Sequence, residues 1–328
     1  MPTLSVIICT HNPRQEYLRR TLEGVQAQTL ARDQWELLLI DNASKTKLSE
    51  SWDLSWHPHA RHIREEELGL TPARLRGIRE AQGRLLLFID DDNVLIRDYL
   101  EQCVAIAAAH PFLPVFGAGQ LIPEFEVEPA AELAPWLSML ALRRVPHVLW
   151  SNHSRDAACT PWGAGLCVTR TIADQYLVVA GKLTSLQLLD RRGSSLFCGG
   201  DDLFSWASAQ LGFGCGIFPA LQITHLISAG RLTQDYLVRM IHDHAFSHGI
   251  LRFLLAGMAQ REMSLMLRIR ILLHGIRNGR FALRCKRAGV EGEAAAARLI
   301  RESGLKPLDI QFSRLLPPRP IGAGKGGL

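Results

Sequence analysis

Residues 85–93 read Leu-Leu-Leu-Phe-Ile-Asp-Asp-Asp-Asn: five apolar residues run directly into three aspartates. An unbroken apolar run, rather than alternation, is the pattern of a strand covered on both faces in a parallel sheet. The same arrangement occurs twice upstream. Leu4 to Cys9 ends at Thr10-His11-Asn12-Pro13, and Trp35 to Ile40 stops at Asp41-Asn42. Between these runs, Gln15 to Gln28 carries Tyr17, Leu18, Leu22 and Val25 on one helical face, and Leu70 to Ala81 also suits a helix. Strand-helix alternation of this kind predicts an α/β fold, a Rossmann-like domain with a mostly parallel central sheet flanked by helices.

Further along, Asp98 to Ala109 has a helical pattern, whereas Pro111 to Pro161 is rich in Pro and Trp and reads as irregular loops, short strands and one short helix. Gly163 to Thr169 fits a strand and Gly199 to Leu211 a helix. Cys215 to Ile223 fits a strand ending at Thr224-His225, and Thr233 to Leu255 and Met263 to Arg277 fit helices. Pro317 to Leu328 is Pro/Gly-rich and is expected to be disordered. There is no internal repeat.

Composition narrows the class. With 328 residues, 47% hydrophobic and 21% charged, the chain can bury a sizeable core and is not a disordered polymer. Seven scattered cysteines without a Cys-x-x-Cys pair point to a reducing, cytoplasmic setting. The opening residues are not expected to be a secretory signal, and no run approaches the length of a spanning helix. The formal net charge is +5, and much of the basic charge falls late. Met263 to Arg287 mixes apolar residues with Arg268, Arg270, Arg277, Arg280, Arg284, Lys286 and Arg287 and has no acidic residue. That segment reads either as a helix lying on an anionic inner-membrane surface or as an ordinary packed helix with a solvated basic face. No recognition module for nucleic acid accompanies the charge, so nucleic acid is not expected as a partner.

In open α/β sheets, ligands bind beyond the carboxyl ends of the strands. Thr10 and Asn12, Asp41, and Asp90-Asp91-Asp92 follow three successive strands there, which outlines a nucleotide site. Adjacent carboxylates repel and call for a cation, and a hard divalent ion can also bridge the phosphates of a nucleoside diphosphate. Mn²⁺ or Mg²⁺ is the expected cofactor. Gly199-Gly200-Asp201-Asp202 admits two compatible readings, a capped helix start and a rigidly held acidic pair. His242, His244 and His248 have a helical spacing that does not put all three on one face, so they are read as structural.

Taken in order, SVIICTHN, LLLIDNAS, ELGLTPARLRGI, LLLFIDDDN and GGDDLFSWASAQLG resemble the family 2 glycosyltransferases of GT-A fold, across roughly residues 1 to 230. The resemblance implies a metal-dependent, inverting transfer of a sugar from a nucleotide-diphosphate sugar, UDP first among them, to a saccharide or lipid-linked acceptor in polysaccharide or glycolipid synthesis. By the family's pattern, Thr10 and Asn12 line the nucleotide pocket, Asp41 hydrogen-bonds the base, and Arg74 stabilises the donor side. Asp90 then faces the ribose, Asp91 fills the variable middle of a D-x-D motif, and Asp92 with His225 holds the metal. Asp202, beside Asp201, becomes the base for the acceptor hydroxyl, while Trp162, Gly163 and Gly165 border the acceptor cleft. The implied division is a catalytic domain over 1–230, with acceptor-side elaboration about 111–170, a helical region over 231–316 and a tail over 317–328. Glu67, Leu75 and Asp201 depart from residues common in the family.

Two other classes compete. A nucleotidyltransferase should carry a Gly-rich, basic loop after its first strand, and THNPRQ does not supply one. A catalytically inactive nucleotide-sugar-binding scaffold would bind donor without turnover.

Overall fold

Side chains alternate along β1 (Leu4–Thr10) and sort the core into two layers: Leu4, Val6 and Ile8 pack on one side of the sheet, Ile7 and Cys9 on the other. The computed structural model describes residues 1–153, 156–183, 186–191, 195–258 and 265–308, with backbone alone at 186–187 and 265–278. After β1 come α1 (Gln15–Gln26), β2 (Trp35–Asn42), α2 (Leu48–Ser51), β3 (Ala60–Glu65), α3 (Leu70–Glu80), β4 (Leu85–Asp90), β5 (Asn93–Leu95) and α4 (Tyr99–Ala109). The second half adds β6 (Val115–Phe125), β7 (Arg143–Arg144), β8 (Leu149–Ser151), β9 (Leu166–Thr169), α5 (Arg170–Lys182), α6 (Asp202–Gln210), β10 (Cys215–Ile227), α7 (Gln234–Ala256) and α8 (Leu265–Ser303).

The sheet runs β3-β2-β1-β4-β9-β6-β10-β5. β3, β2, β1 and β4 are mutually parallel, β9 is antiparallel between β4 and β6, and β6 is parallel to β10. The expected α/β architecture with a mostly parallel sheet flanked by helices is the one observed. Register matters for the site: Thr10 pairs with Asp41 and Cys9 with Asp90, so three strand ends finish level on one edge.

Several expectations need correction. Between Pro111 and Pro161 the chain contains β6, a strand of 11 residues, besides its shorter elements. Its buried half, Val115 to Ala118, fills the middle of the sheet. β10 does not end at Thr224-His225 but continues to Ile227, so His225 lies inside the strand, opposite Asn93 of β5 and Pro123 of β6. The edge strand β3 went unread because only Ile63 of its six residues is buried, and charged edges are how sheets resist further pairing.

Of the basic segment Met263–Arg287, residues 263–264 lie outside the described residues, as does the tail at 317–328. From 280 onward the picture is specific. Phe281, Ala282 and Cys285 are buried, with Phe281 and Cys285 in a core shared with Leu237, Met240 and Ile241 of α7, while Arg280, Arg284, Lys286 and Arg287 are exposed. This stretch is a packed helix with a solvated basic face. Among the described residues, no helix is long and apolar enough to cross a membrane.

Candidate active site

The level ends of β1, β2 and β4 bring the first group of expected residues together. Thr10 donates its hydroxyl to Asp91 Oδ2, which ties the end of β1 to the turn after β4. Asn12, in left-handed backbone (φ 47°), accepts from Lys45 N through Oδ1 (2.9 Å) and takes Ser44 Oγ on its own N–H (2.9 Å), so it links the β1 and β2 loops. Asp41 is buried and largely spoken for: it accepts from the N–H groups of Ser44 (3.1 Å) and Leu48 (3.1 Å) and from Arg64 Nη1 (2.8 Å). Burial pushes that carboxyl up, but the bonds from Ser44, Leu48 and Arg64 prevail and hold it below its usual range.

Three aspartates at the end of β4 have three different environments. Asp90 is pushed up by desolvation against the pull of Arg74, whose Nη2 stands 4.0 Å away. Asp91 is pushed up to about 7 by desolvation and by the charge on Asp92. Asp92 moves the other way, because His225 and Arg231 outweigh its desolvation. Its Oδ2 lies 3.4 Å from His225 Nε2, and Arg231 Nη1 touches both atoms, at 2.9 Å and 3.2 Å. Since a guanidinium only donates, the Nε2 lone pair and the carboxylate oxygen face one shared point that already accepts positive charge. A carboxylate oxygen with an imidazole nitrogen is a donor set that fits a divalent cation, Mn²⁺ more readily than Mg²⁺.

On the opposite wall, the acidic pair at the start of α6 is held by a different set of contacts. Asp201 makes no capping bond to its own helix; its Oδ2 accepts from Gly163 N at 2.7 Å. Arg74, buried in α3, links this wall to the first group: its charge is sustained by Asp201 and Asp90 against the desolvation that would lower it. A Cβ on Gly163 would run into the Arg74 guanidinium, so only glycine admits that close approach. Gly165 adopts φ 75°, and its carbonyl accepts from the buried Tyr99 hydroxyl at 2.9 Å. Trp162 is half-buried, with the Arg143 guanidinium 3.6 Å above its ring. Asp202 is pushed up to about 8 by burial and then by Asp201, with Arg143 pulling weakly against them.

Arg231 and Arg143 were not read from the sequence. A basic residue six positions past His225 was the available signal for the first. Arg143 had none, because its place over Trp162 and near Asp202 depends on pairing between β7 and β6.

The family model for Glycosyl transferase family 2 matches residues 5–149. Those residues, somewhat under half of the chain, are similar to that family. The chain is 29% identical over 108 residues to "Glycosyltransferase AglE" of Haloferax volcanii, covering 32% of this chain and 35% of that relative. It is 28% identical over 109 residues to "Putative glycosyltransferase EpsH" of Bacillus subtilis, covering 32% and 30%. The chain thus spans about a third of the length of the curated relatives it matches. Among solved structures, the mannosyltransferase PcManGT of Pyrobaculum calidifontis, in complex with GDP-Man and Mn²⁺, superposes with a TM-score of 0.54 at 19% identity, over 92% of this chain and 79% of that one. This shows a shared GT-A fold.

Proposed function

We propose that this chain is a metal-dependent, inverting glycosyltransferase that moves a sugar from a nucleotide-diphosphate sugar, UDP-sugar foremost, to the hydroxyl of a saccharide or lipid-linked acceptor in the cytoplasm, in polysaccharide or glycolipid synthesis. The observation that carries the reading is the contrast between two acidic groups that share the buried Arg74 as an electrostatic partner through Asp90 and Asp201. Asp92 is held ionised by His225 and Arg231, and Asp202 is pushed up to about 8, so that once deprotonated it is a base of near-neutral strength.

The residues divide the work accordingly. Thr10, Asn12 and Asp41 border the nucleotide end, and Asp90 and Asp91 lie where the ribose and phosphates approach. Asp92 and His225 would hold Mn²⁺ or Mg²⁺, which supplies charge to the departing diphosphate. Arg74 and Arg231 bring fixed positive charge to the same region. Across the cleft, Trp162, Gly163 and Gly165 border the acceptor. Asp202 removes the proton from its hydroxyl as the oxygen attacks the anomeric carbon and the nucleoside diphosphate leaves. A base with a proton affinity near neutral is suited to that task, and its elevated value is the signature of a desolvated carboxylate kept beside a second one. One candidate base on the acceptor side supports a single displacement with inversion as the preferred course.

The test is release of nucleoside diphosphate from a panel of UDP- and GDP-sugars with Mn²⁺ or Mg²⁺ and candidate acceptors, for wild type, Asp92→Asn and Asp202→Asn. Metal-dependent release lost in both variants supports the proposal. Donor binding without release in wild type would favour an inactive scaffold.

A further inference from the structure

Outside this cleft, one cluster of side chains has the chemistry of a site of its own. The stretch 195–201, which leads into α6, is fastened along α7. Leu196 N donates to Asp243 Oδ2 at 2.9 Å, Cys198 N donates to Ser247 Oγ at 3.1 Å, and the Phe197 and Phe246 rings stack with centroids 4.8 Å apart. These contacts seat Cys198 against the helical face that carries His244 and His248. His242 is on another side and pairs with Asp243 at 3.0 Å, so the histidine triplet is split into one structural residue and an i, i+4 pair.

Cys198 Sγ and one nitrogen from each of His244 and His248 all lie within 4.8 Å of one another, and the two imidazole centroids are 4.3 Å apart. Among the described residues neither imidazole has a hydrogen-bond partner. His248 is exposed and His244 and Cys198 are partly exposed, so an ion can reach all three from solvent. Two imidazoles on successive turns of a helix with a thiol across from them form a borderline-soft donor set, unlike the carboxylate-imidazole pair at Asp92 and His225.

We infer that Cys198, His244 and His248 form a second metal site, selective for a borderline-soft divalent cation of the Zn²⁺ class, that pins the Asp201-Asp202 loop to α7. Closing the ligands onto an ion requires movement of about 1 Å, since a tetrahedral Zn²⁺ site places S and N atoms roughly 3.5 Å apart. The thiol proton passes to solvent as the thiolate binds, and a fourth position stays open to water. Nothing in this inference depends on sugar transfer, and the two metal sites are separable by ligand type.

The test uses the full chain, stripped with chelator under reducing conditions and titrated with Co²⁺ as a spectroscopic substitute. The expected result is a thiolate-to-cobalt charge-transfer band with intense tetrahedral d–d bands, saturating at one equivalent and displaced by Zn²⁺. The other six cysteines are buried, so Cys198 is the accessible thiol. The band should persist in Asp92→Asn, vanish in Cys198→Ala, and appear only at Co²⁺ concentrations at least about tenfold higher in His248→Gln. Absence of a thiolate band in wild type, or an unchanged band in Cys198→Ala, overturns the inference. Should Cys198→Ala fail to fold, the wild-type titration and His248→Gln decide it.

Discussion

Asp90-Asp91-Asp92 and Asp201-Asp202 are joined electrostatically through Arg74, yet the protein treats the charge of Asp92 and Asp202 in opposite ways. At Asp92, a histidine from β10 and an arginine from the loop after it more than offset the loss of water, and the carboxyl drops below its usual range. At Asp202, burial and the neighbouring Asp201 dominate, Arg143 only partly counters them, and the carboxyl rises to about 8. Identical side chains therefore take different parts: one stays ionised and draws cations, and the other holds a proton until the pH rises toward 8, where its ionised form can serve as a base. Compensation by neighbours, not residue type, sets the division.

The largest effect is expected from removing the base. Asp202→Asn keeps the size of the side chain and should lower kcat by about 10³-fold with nucleotide affinity unchanged, as measured by steady-state release of nucleoside diphosphate. A parallel fall in affinity would blur the division between the two walls. Gly163→Ala comes next. Its methyl group meets the Arg74 guanidinium, which touches both walls through Asp90 and Asp201, so kcat/KM should fall by about tenfold or more.

How far this division could be read from residues alone differs between the walls. Three apolar runs, each ending in a polar residue, announce the parallel strands, and register then carries Thr10, Asp41 and Asp90 to one edge. Local pattern suffices there. The opposite wall is built from contacts between distant segments: Gly163 with Asp201, Arg143 with Trp162, and Cys198 with His244 and His248. None of these follows from spacing: the first two depend on where β6, β7 and β9 sit in the sheet, and the third on how 195–201 packs along α7. α5 is a different kind of omission. Ile172, Ala173, Tyr176, Val179 and Ala180 are buried at helical spacing, a period that was present in the sequence and passed unread.

A smaller effect sharpens the comparison through stability. The Asp202 carboxyl is raised in the folded state, so between about pH 4 and pH 8 the native protein binds more protons than the unfolded chain, and stability falls as pH rises through that window. Asp202→Asn should flatten this slope. Its melting temperature relative to wild type should improve toward pH 8, by about 1–2 °C for each 1 kcal/mol relieved in a chain of this length. Identical slopes would mean that Asp202 is not proton-loaded. The smallest expected change is in Arg143→Gln. Removing that charge lets Asp202 rise further, so the alkaline rise in kcat should move to higher pH with little change in its plateau. A shift to lower pH would place the dominant influence elsewhere.

The most direct test of the central claim is calorimetric titration of wild type, Asp92→Asn and Asp202→Asn with a nucleoside diphosphate in the presence of Mn²⁺. If the walls are specialised as described, Asp202→Asn binds like wild type and Asp92→Asn loses metal-dependent binding. Unchanged binding in Asp92→Asn, or loss of binding in Asp202→Asn, would contradict the account.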